Sequence, residues 1–355
     1  MREAVLYDRA RDGSVVCNLC AHRCLIRPGR VGICRVRLNE GGALYTLVYD
    51  RVVSVEVDPI EKKPLFHFLP GTRSFSIATM GCNFHCHYCQ NWQISQAPRA
   101  RPGLILGRPL APSQLVRQAL DYGCATIAYT YTEPTVFFEL AYDTARLAAE
   151  HGLRNIFVTN GYMTPEAIKM IRPHLHAANV DLKGFDDQRY RRVCGARLDP
   201  VLEAIRLMKE SGIWVEVTTL VVPGHNSGDR ELRQIARFIA SVDVGIPWHL
   251  SAFYPAYKML DVEPTDPGML ERAWHIGRQE GLRYVYCGNV PGNPRESTYC
   301  YACGRRLVER WGLSAGRVRL RDGICSYCGA AIDGVWDGAR TAPSPPVGRS
   351  GTAAA

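Results

Sequence analysis

The stretch Gly81-Cys82-Asn83-Phe84-His85-Cys86-His87-Tyr88-Cys89-Gln90-Asn91-Trp92 carries three cysteines with the spacing C-x3-C-x2-C. Three thiolates this close in sequence can bind one metal centre. A cube of four irons and four sulfides normally takes four cysteines, so Cys82, Cys86 and Cys89 would leave one iron without a protein ligand. An open position of this kind can bind a small molecule, as it does in other catalytic metal sites. The spacing therefore predicts a reactive [4Fe–4S] centre.

A zinc site is the alternative for the same stretch. His85 or His87 would then complete the ligand set. Zinc knuckles favour paired C-x2-C units, however, and this stretch contains one such unit. Phe84, Tyr88 and Trp92 form an apolar wall, which suits a reactive cluster better than a small zinc turn. The iron–sulfur interpretation is favoured for these reasons.

Length and composition set broad limits. The 355 residues allow one large domain with small modules or two medium domains. No apolar run approaches the length of a membrane span and the N-terminal residues do not resemble a signal peptide, so we expect a cytoplasmic protein without a membrane partner. The net charge of +9 fits an acidic partner, a nucleic acid or an anionic substrate. Because the basic residues are scattered, a solvated surface is favoured and nucleic-acid binding is not indicated.

Cysteine usage points to metal sites. Eleven of the 14 cysteines fall in three short groups. In a cytosolic chain, clustered cysteines indicate metal ligands rather than disulfides. The other three, Cys124, Cys194 and Cys287, stand alone, and we expect them to be small buried side chains.

A four-cysteine module opens the chain, within residues 1–70. Its cysteines follow the spacing C-x2-C-x3-C-x9-C and are Cys17, Cys20, Cys24 and Cys34. Four thiolates suit a structural zinc, and an accessory iron–sulfur cluster takes the same ligands, so both alternatives stay open. Residues 43–57 alternate in part between apolar and polar side chains, which predicts a short hairpin or strand pair.

A second four-cysteine module, residues 295–337, follows the main domain. It has two C-x2-C-G knuckles about twenty residues apart, which is typical of a zinc ribbon. The cysteines are Cys300, Cys303, Cys325 and Cys328. A rubredoxin-like single iron is the chemical alternative. Residues 338–355 are rich in Pro, Gly, Ser and Ala, and we expect a disordered tail.

Residues 71–294 alternate between strand and helix patterns. The predicted strands are Ser74–Thr79, Ala125–Thr130, Asn155–Thr159, Ala178–Leu182, Ile213–Val222, Pro247–Phe253 and Arg283–Cys287. The predicted helices are Pro112–Tyr122 (with Ser113 as its cap), Thr135–His151, Pro165–Ile171, Leu198–Ser211, Arg230–Ala240 and Gly268–Glu280. Such alternation predicts an α/β domain with parallel strands, and the count fits a six-stranded partial (β/α) barrel of the TIM type with an extra strand. The cysteine stretch then follows the first strand, at the end where such barrels hold their active groups.

The cysteine stretch, with aromatic Tyr88 before its third cysteine, resembles the signature of the radical S-adenosylmethionine (radical SAM) enzymes. The resemblance implies that the amino and carboxylate groups of S-adenosylmethionine bind the open iron. An electron from the cluster then breaks the sulfonium bond and releases a 5'-deoxyadenosyl radical. Tyr88 is accordingly a candidate cofactor contact, and the implied class is an iron–sulfur oxidoreductase.

Two further positions resemble cofactor contacts of the enzymes that activate glycyl radical enzymes. Asn91, two residues after the third cysteine, matches an asparagine whose amide contacts S-adenosylmethionine. Glu133 stands where radical SAM enzymes carry Gly-Gly-Glu, the motif that binds the methionine amino group. Tyr131 and Thr132 replace the two glycines, while a carboxylate beside an ammonium remains a charge-assisted pair.

The next two strand ends add three candidates. Asn160, in Thr159-Asn160-Gly161, is a candidate cofactor contact, although Val158 replaces the acidic residue that touches the ribose in the activases. Asp181 and Lys183 lie at positions i and i+2 and so share one face of a strand end. Asp181-Leu182-Lys183 resembles the activases, in which the lysine binds the methionine carboxylate. A buried structural ion pair is the alternative.

From Cys17 to Gly329 the chain resembles the radical SAM member of the AmmeMemoRadiSam system, a group similar to the pyruvate formate-lyase activating enzymes. The activases carry a histidine near the position of Tyr254, which His249 matches in part. The resemblance implies a flavodoxin or ferredoxin as reductant and AMMECR1-like and Memo-like companions. Three functions are open: activation of a glycyl radical enzyme, radical modification of a small molecule or another protein, and a metal-stabilised binding module without catalysis. Acidic and basic residues at successive strand ends argue against the third.

Overall fold

The computed structural model describes residues 1–290 and 292–336. The tail predicted to be disordered, residues 338–355, lies outside the described residues. A nine-stranded sheet forms the centre of the molecule. Its strands, numbered in chain order, are β1 (Arg51–Pro59), β2 (Arg73–Thr79), β3 (Arg108–Pro109), β4 (Thr126–Tyr129), β5 (Arg154–Thr159), β6 (Ala177–Asp181), β7 (Trp214–Val221), β8 (Trp248–Ala252) and β9 (Val285–Gly288).

Seven of these strands, β2 and β4 to β9, are parallel and lie side by side in chain order. Parallel neighbours need long crossover connections, and helices provide them in this chain. The predicted α/β class is therefore confirmed, and β9 is the extra strand expected after the sixth. The order is that of a (β/α) barrel. Within the described residues the ladder runs from β9 to β3 without closing on itself.

The described residues form nine α-helices: α1 (Trp92–Ser95), α2 (Ala97–Ala100), α3 (Pro112–Asp121), α4 (Phe138–Glu150), α5 (Pro165–Ile171), α6 (Asp187–Cys194), α7 (Asp199–Glu210), α8 (Asp229–Val242) and α9 (Pro267–Gln279). Short 3-10 helices cover Ile60–Lys62, Pro134–Phe137, Arg172–His174 and Pro294–Glu296. None of the helices in the described ranges is long and apolar enough to cross a membrane. The helix predicted for Thr135–His151 consists of two elements in the structure, the 3-10 helix Pro134–Phe137 and α4.

The cap of α3 and the presence of α6 differ from the prediction. Ser113 is not the cap of α3, because Pro112 already occupies the first helical position and Ala111 precedes it as the N-cap. Helix α6 was not predicted, although its signals are local. Asp186 caps its start by accepting a hydrogen bond from Arg189 N at 2.7 Å, and Gly195 ends it with a φ of 73°.

The strand pair predicted for residues 43–57 is wrong. Ala43–Thr46 pairs with Arg37–Glu40 and with Arg2–Glu3 in a small antiparallel sheet. The second half of the prediction is β1, which pairs antiparallel with β2 at the edge of the main sheet. Alternation identifies which side chains of a strand share a face, but it does not identify the partner strand, so two adjacent alternating segments need not form a hairpin.

The N-terminal module packs beside the loops that follow the C-terminal ends of β4 and β5. It contains a second small sheet, formed by Tyr7–Arg9, Val15–Cys17 and Leu25–Ile26. Its contacts with the main domain include a hydrogen bond from Ala21 N to Tyr162 O at 3.0 Å. A buried ion pair joins Arg37 to Glu139 in α4, with a nitrogen–oxygen distance of 2.6 Å. The module is thus fixed against the end of the sheet that carries the cysteine stretch.

The opposite end of the sheet is closed by residues 60–69, which we call the plug segment. Its buried apolar side chains pack on small and apolar residues of β4, β5 and β6. Two of its backbone N–H groups, from Phe66 and His67, donate to the fully buried carboxylate of Glu216 near the start of β7, at 2.9 and 2.8 Å. Trp214 Nε1 and His249 Nε2 lie 3.0 and 2.6 Å from the same carboxylate. A buried carboxylate with this many partners is a structural centre.

The C-terminal module covers the plug segment from outside. Its strands are Thr298–Tyr299, Arg306–Trp311 and Ser314–Val318 in one sheet, and Leu320–Arg321 with Ile324–Cys325 in another. Arg310 donates to Phe66 O at 2.6 Å, and Val335 pairs with Phe68. The two four-cysteine modules therefore lie at opposite ends of the sheet.

Candidate functional site

The cysteine stretch forms a loop directly after β2. Gly81 opens it with a φ of +93°, and a Cβ at this position would lie 2.6 Å from Val36 Cγ1 of the N-terminal module. Glycine is therefore required both for the backbone conformation and for the close approach. Cys82 Sγ accepts hydrogen bonds from Phe84 N at 3.4 Å and from Asn160 Nδ2 at 3.9 Å. Such N–H donors stabilise thiolate ligands of a metal cluster.

The other two thiols of the loop are also partnered within it or beside it. Cys89 Sγ lies 3.2 Å from Ser95 Oγ. Burial raises the pKa of Cys82 and of Cys89, while for Cys86 a hydrogen bond with Cys194 raises the pKa first and burial adds to it. These thiols therefore stay protonated at neutral pH until a metal displaces the proton. They do not lie within 4.8 Å of one another, a distance that a single small ion would require.

Glu133 lies after β4 and is fully buried. Its Oε1 accepts from Thr135 N at 3.0 Å and from the hydroxyls of Thr135 and Thr159 at 2.6 and 2.8 Å. Its Oε2 accepts from Asn160 N at 2.8 Å. Burial raises the pKa of Glu133 despite these hydrogen bonds. The carboxylate thus ties the loop after β4 to the loop after β5, and Oε2 keeps a free lone pair.

Tyr131 replaces a glycine of the family motif and nevertheless adopts the left-handed backbone conformation, with a φ of 61°. Non-glycine residues seldom do so without support. The support is a hydrogen bond from the Tyr131 hydroxyl to Asp58, which also binds the ammonium group of buried Lys63 at 2.5 Å. A side-chain contact therefore supports the left-handed conformation of Tyr131.

Asn160 and Asn91 lie on either side of the cysteines. Asn160 is buried, and its Nδ2 donates to Asn83 Oδ1 at 2.8 Å as well as to the Cys82 sulfur. Asn91 precedes α1 and is partly exposed. In the described part of the chain its side-chain amide has no hydrogen-bond partner, so it is available to a ligand. Asn160 instead helps to hold the loop.

Asp181 and Lys183 meet at the end of β6, as their spacing predicted. Lys183 Nζ lies 3.0 Å from Asp181 Oδ2 and 5.9 Å from the centre of the Tyr88 ring. Burial opposes the charge of Lys183, but the negative charge of Asp181 outweighs it and raises the pKa of Lys183, and the Cys86 and Cys194 sulfurs add to this effect when they are ionised. Lys183 is therefore a largely buried cation close to the cysteine loop.

A cavity beside this lysine contains residues that the sequence reasoning missed. This small cavity is bounded by Tyr88, Lys183, Cys194, His225 and Asn226, among others. His225 and Asn226 follow β7 in a Pro-Gly turn. Their position directly after a strand is the sequence signal that could have identified them as site residues. Cys194 is buried, as predicted. In addition its sulfur makes a polar contact, 3.5 Å from the Tyr88 hydroxyl.

His249 does not join the cysteine loop. It lies near the start of β8 and contacts Glu216 at the plug-segment end. Tyr254 lies closer to the loop, since its carbonyl oxygen accepts a hydrogen bond from Gln90 Nε2 at 3.1 Å. Its hydroxyl donates to Asn289 O at 3.2 Å. His249 therefore lies away from the cysteine loop, in the network around Glu216.

The C-terminal cysteines form a closed four-sulfur group. All four sulfurs of Cys300, Cys303, Cys325 and Cys328 lie within 4.8 Å of one another. The sulfur atoms of Cys300 and Cys328 are 3.7 Å apart, and those of Cys303 and Cys325 are 3.8 Å apart. Four ligands at zinc–sulfur distances of about 2.3 Å in a tetrahedron lie about 3.8 Å from one another. The arrangement fits one tetrahedral ion.

The chain has relatives among known proteins. The model of the radical SAM superfamily matches residues 76–239. The uncharacterized protein MJ0808 of Methanocaldococcus jannaschii is 46% identical over 337 residues, which cover 94% of this chain and 99% of that protein. The putative glycyl-radical enzyme activating enzyme MJ1632 of the same organism is 23% identical, over 59% of this chain and 77% of its own length. The crystal structure of a radical SAM methyltransferase from Sphaerobacter thermophilus is 18% identical, covers 62% of this chain and 68% of its own, and has a TM-score of 0.48.

Proposed function

We propose that this chain, whose residues 76–239 match the model of the radical SAM superfamily, is an enzyme that cleaves S-adenosylmethionine reductively at a [4Fe–4S] cluster held by Cys82, Cys86 and Cys89. The observation that carries this proposal is the loop itself. Three thiols, of which Cys86 is buried and the other two are half-buried, lie further apart than the ligands of one small ion, and two N–H groups donate to the Cys82 sulfur. Thiolate ligands select iron–sulfur clusters and zinc among biological metals. The spacing of the sulfurs favours the cluster.

When bound, the cluster and S-adenosylmethionine supply a 5'-deoxyadenosyl radical that abstracts hydrogen, and the chain supplies binding and orientation. We assign the methionine carboxylate to Lys183, because this largely buried ammonium lines the cavity next to the cysteine loop. Asp181 holds that ammonium in place. The free lone pair of Glu133 Oε2 suits the methionine ammonium, and Asn91 offers an unpaired amide. Tyr88 forms the wall between the lysine and the cysteines.

Activation of a protein partner is the form of this reaction that we favour. The similarity to a putative glycyl-radical enzyme activating enzyme supports it. An open groove of about 950 Å³ also runs beside the cysteine loop, between Trp92 and β1, and offers a surface for a polypeptide segment. The proposal includes a flavodoxin or ferredoxin as electron donor and AMMECR1-like and Memo-like companions.

Cleavage without a substrate tests the proposal. The protein is reconstituted anaerobically with iron and sulfide, reduced with dithionite and supplied with S-adenosylmethionine. We expect slow formation of methionine and 5'-deoxyadenosine by the wild type and none by Cys82→Ala/Cys86→Ala/Cys89→Ala. The matched control is Cys124→Ala/Cys287→Ala, which removes lone buried cysteines and should keep the reaction. Product formation by the triple variant, or its absence in the wild type, would refute the assignment.

A further inference from the structure

The N-terminal cysteines line a cavity of their own. Cys17, Cys20, Cys24 and Cys34 line a small cavity between the N-terminal module and the cysteine loop. The rest of its wall is mainly apolar and includes Leu19, Ile26, Ile33 and Val136. Cys17 is buried, and Cys20, Cys24 and Cys34 are half-buried. Four thiols around an apolar cavity constitute a built site without an obvious protein partner.

The spacing of these sulfurs separates them from the C-terminal group. At the C-terminal site all four sulfurs lie within 4.8 Å of one another, as one tetrahedral ion requires. In the described ranges no three of the N-terminal sulfurs meet that limit. In a [4Fe–4S] cube each cysteine binds a different iron, so its ligands lie further apart than four ligands of one ion. The wider spacing of the N-terminal sulfurs fits a cube.

No side chain at this site competes with the cysteines as a fifth ligand. His22 lies among them in sequence, but its Nε2 is 2.9 Å from Asn83 O and so is already used. Arg37 lines the cavity, and its guanidinium is fixed by Glu139. The thiols of Cys17 and Cys34 interact with that positive charge. A cluster with four thiolates is anionic, and a fixed arginine offsets part of its charge.

The cavity adjoins the cysteine loop of the main domain. Asn83, the residue after Cys82, also lines it. Its Oδ1 accepts from Asn160, but its buried Nδ2 has no hydrogen-bond partner among the described residues. A buried donor without a partner costs free energy, which a sulfur acceptor in the cavity would relieve. We propose that Cys17, Cys20, Cys24 and Cys34 bind a second [4Fe–4S] cluster, next to the cluster of the main domain.

Four protein ligands leave this second cluster without an open iron, so it does not bind S-adenosylmethionine. The inference therefore does not depend on the proposed function. It also assigns different metals to two modules with the same number of cysteines. Iron belongs to the N-terminal group and zinc to the C-terminal group.

Metal and sulfide analysis of four proteins tests the inference. The wild type, reconstituted anaerobically with iron, sulfide and zinc, should hold about eight irons and eight sulfides per chain. Cys20→Ser/Cys24→Ser should hold about four of each, as should Cys82→Ala/Cys86→Ala/Cys89→Ala, and the combined variant none. The zinc content should stay at about one per chain in all four, since the C-terminal site is untouched. The Mössbauer spectrum of the wild type, enriched in ⁵⁷Fe, should contain two [4Fe–4S] components.

The opposite results are equally definite. Two zinc ions per wild-type chain, with one lost from Cys20→Ser/Cys24→Ser and no change in iron, would mean that the N-terminal group is a zinc site. If that double variant fails to fold and loses every metal, the iron-to-zinc ratio and the Mössbauer components of the wild type still decide. A loss of iron confined to the cysteine-loop variant would contradict the second cluster and leave the proposed function intact.

Discussion

The two ends of the parallel sheet carry four-cysteine modules that differ in what they stabilise. At the plug-segment end, the sulfurs of the C-terminal module form a compact group, and the module donates hydrogen bonds to the plug segment. At the other end, the N-terminal sulfurs surround a cavity, and the module packs beside the cysteine loop. The two modules have the same number of cysteines, but the C-terminal module forms a rigid cap, whereas the N-terminal module lies beside the cofactor-binding loop.

The difference shows in the buried polar groups as well. Glu216 at the plug-segment end has a protein partner at each oxygen, and burial of its charge is outweighed by His249, so its pKa is lowered. At the other end the thiols of the cysteine loop, Lys183 and the amide of Asn83 have fewer protein partners than they can bind. Satisfied buried networks make a fold rigid, whereas incompletely satisfied ones mark binding sites. The first end is therefore expected to control stability, and the second cofactor binding.

Removal of the C-terminal zinc should have the largest effect on stability. Cys325→Ser/Cys328→Ser should lose one zinc per chain, because structural zinc supplies the folding energy of such modules. The hydrogen bonds from Arg310 to Phe66 and from His67 to Asp333 should weaken with it. A loss of about 3 kcal/mol would lower the melting temperature by roughly 6–12 °C. Zinc analysis and anaerobic thermal unfolding measure both changes.

Ser326→Ala, in the same knuckle, is the matched control and should keep the zinc, because this exposed serine only donates to Arg319 O. The iron content of the double serine variant should equal that of the wild type. Unchanged zinc would exclude the C-terminal cysteines as its ligands. A parallel loss of iron would mean that the two ends are not independent, and the comparison would fail.

Removal of the Lys183 charge should have the second largest effect, and this effect should be limited to the affinity for S-adenosylmethionine. The lost partner of the methionine carboxylate is a charge-assisted contact of about 1.5–3 kcal/mol. Lys183→Ala should therefore bind S-adenosylmethionine about ten- to hundredfold more weakly, at unchanged iron content, since the lysine is not a metal ligand. Equilibrium titration of the reconstituted protein gives the affinity, and iron analysis gives the cluster content.

Lys169→Ala, on the outer face of α5, controls for the loss of one positive charge and should bind the cofactor like the wild type. Wild-type affinity in Lys183→Ala would remove the lysine from the cofactor site. Lost iron in that variant would instead make the pair with Asp181 structural, which was the alternative inferred from the sequence.

Local features of this protein were predictable and non-local ones were not. The C-x3-C-x2-C spacing and the alternation of strands and helices are local patterns, and they led to the cysteine loop, the parallel sheet and the placing of Lys183 beside Asp181. The partner of Ala43–Thr46 is a long-range choice and was predicted wrongly. The distances between the N-terminal sulfurs depend on how three short strands pack, which the spacing of the cysteines does not contain.

Substitutions within a motif also depend on distant contacts. Tyr131 and Thr132 replace the two glycines of the family motif, and Asp58, more than seventy positions away, accepts a hydrogen bond from Tyr131 in its left-handed conformation. His249 matched an activase residue by position, yet its side chain belongs to the Glu216 network. In both cases the deciding contact comes from a residue that is distant in sequence.

His67 provides the smallest effect and the most specific test of the plug-segment end. Its Nδ1 lies 2.6 Å from Asp333 O and its Nε2 lies 2.5 Å from the Tyr286 hydroxyl. These partners suit a neutral ring, which donates with one nitrogen and accepts with the other. Burial lowers the pKa of His67 from 6.5 to about 4. Between these values the unfolded chain takes up a proton that the folded protein does not, so stability falls as the pH falls.

From pH 7 to pH 5 this single group should lower the free energy of unfolding by about 2 kcal/mol. His67→Gln cannot take up this proton, so its free energy of unfolding should fall about 2 kcal/mol less between pH 7 and pH 5 than that of the wild type. At pH 7 the variant should be less stable than the wild type. Urea unfolding of reconstituted protein at the two pH values measures the decline, and His151→Gln, at the exposed end of α4, controls for the loss of a histidine as such. If the free energy of unfolding fell equally in the wild type and in His67→Gln, His67 would not be buried as a neutral ring. The plug-segment end would then be more accessible to solvent than the cofactor end.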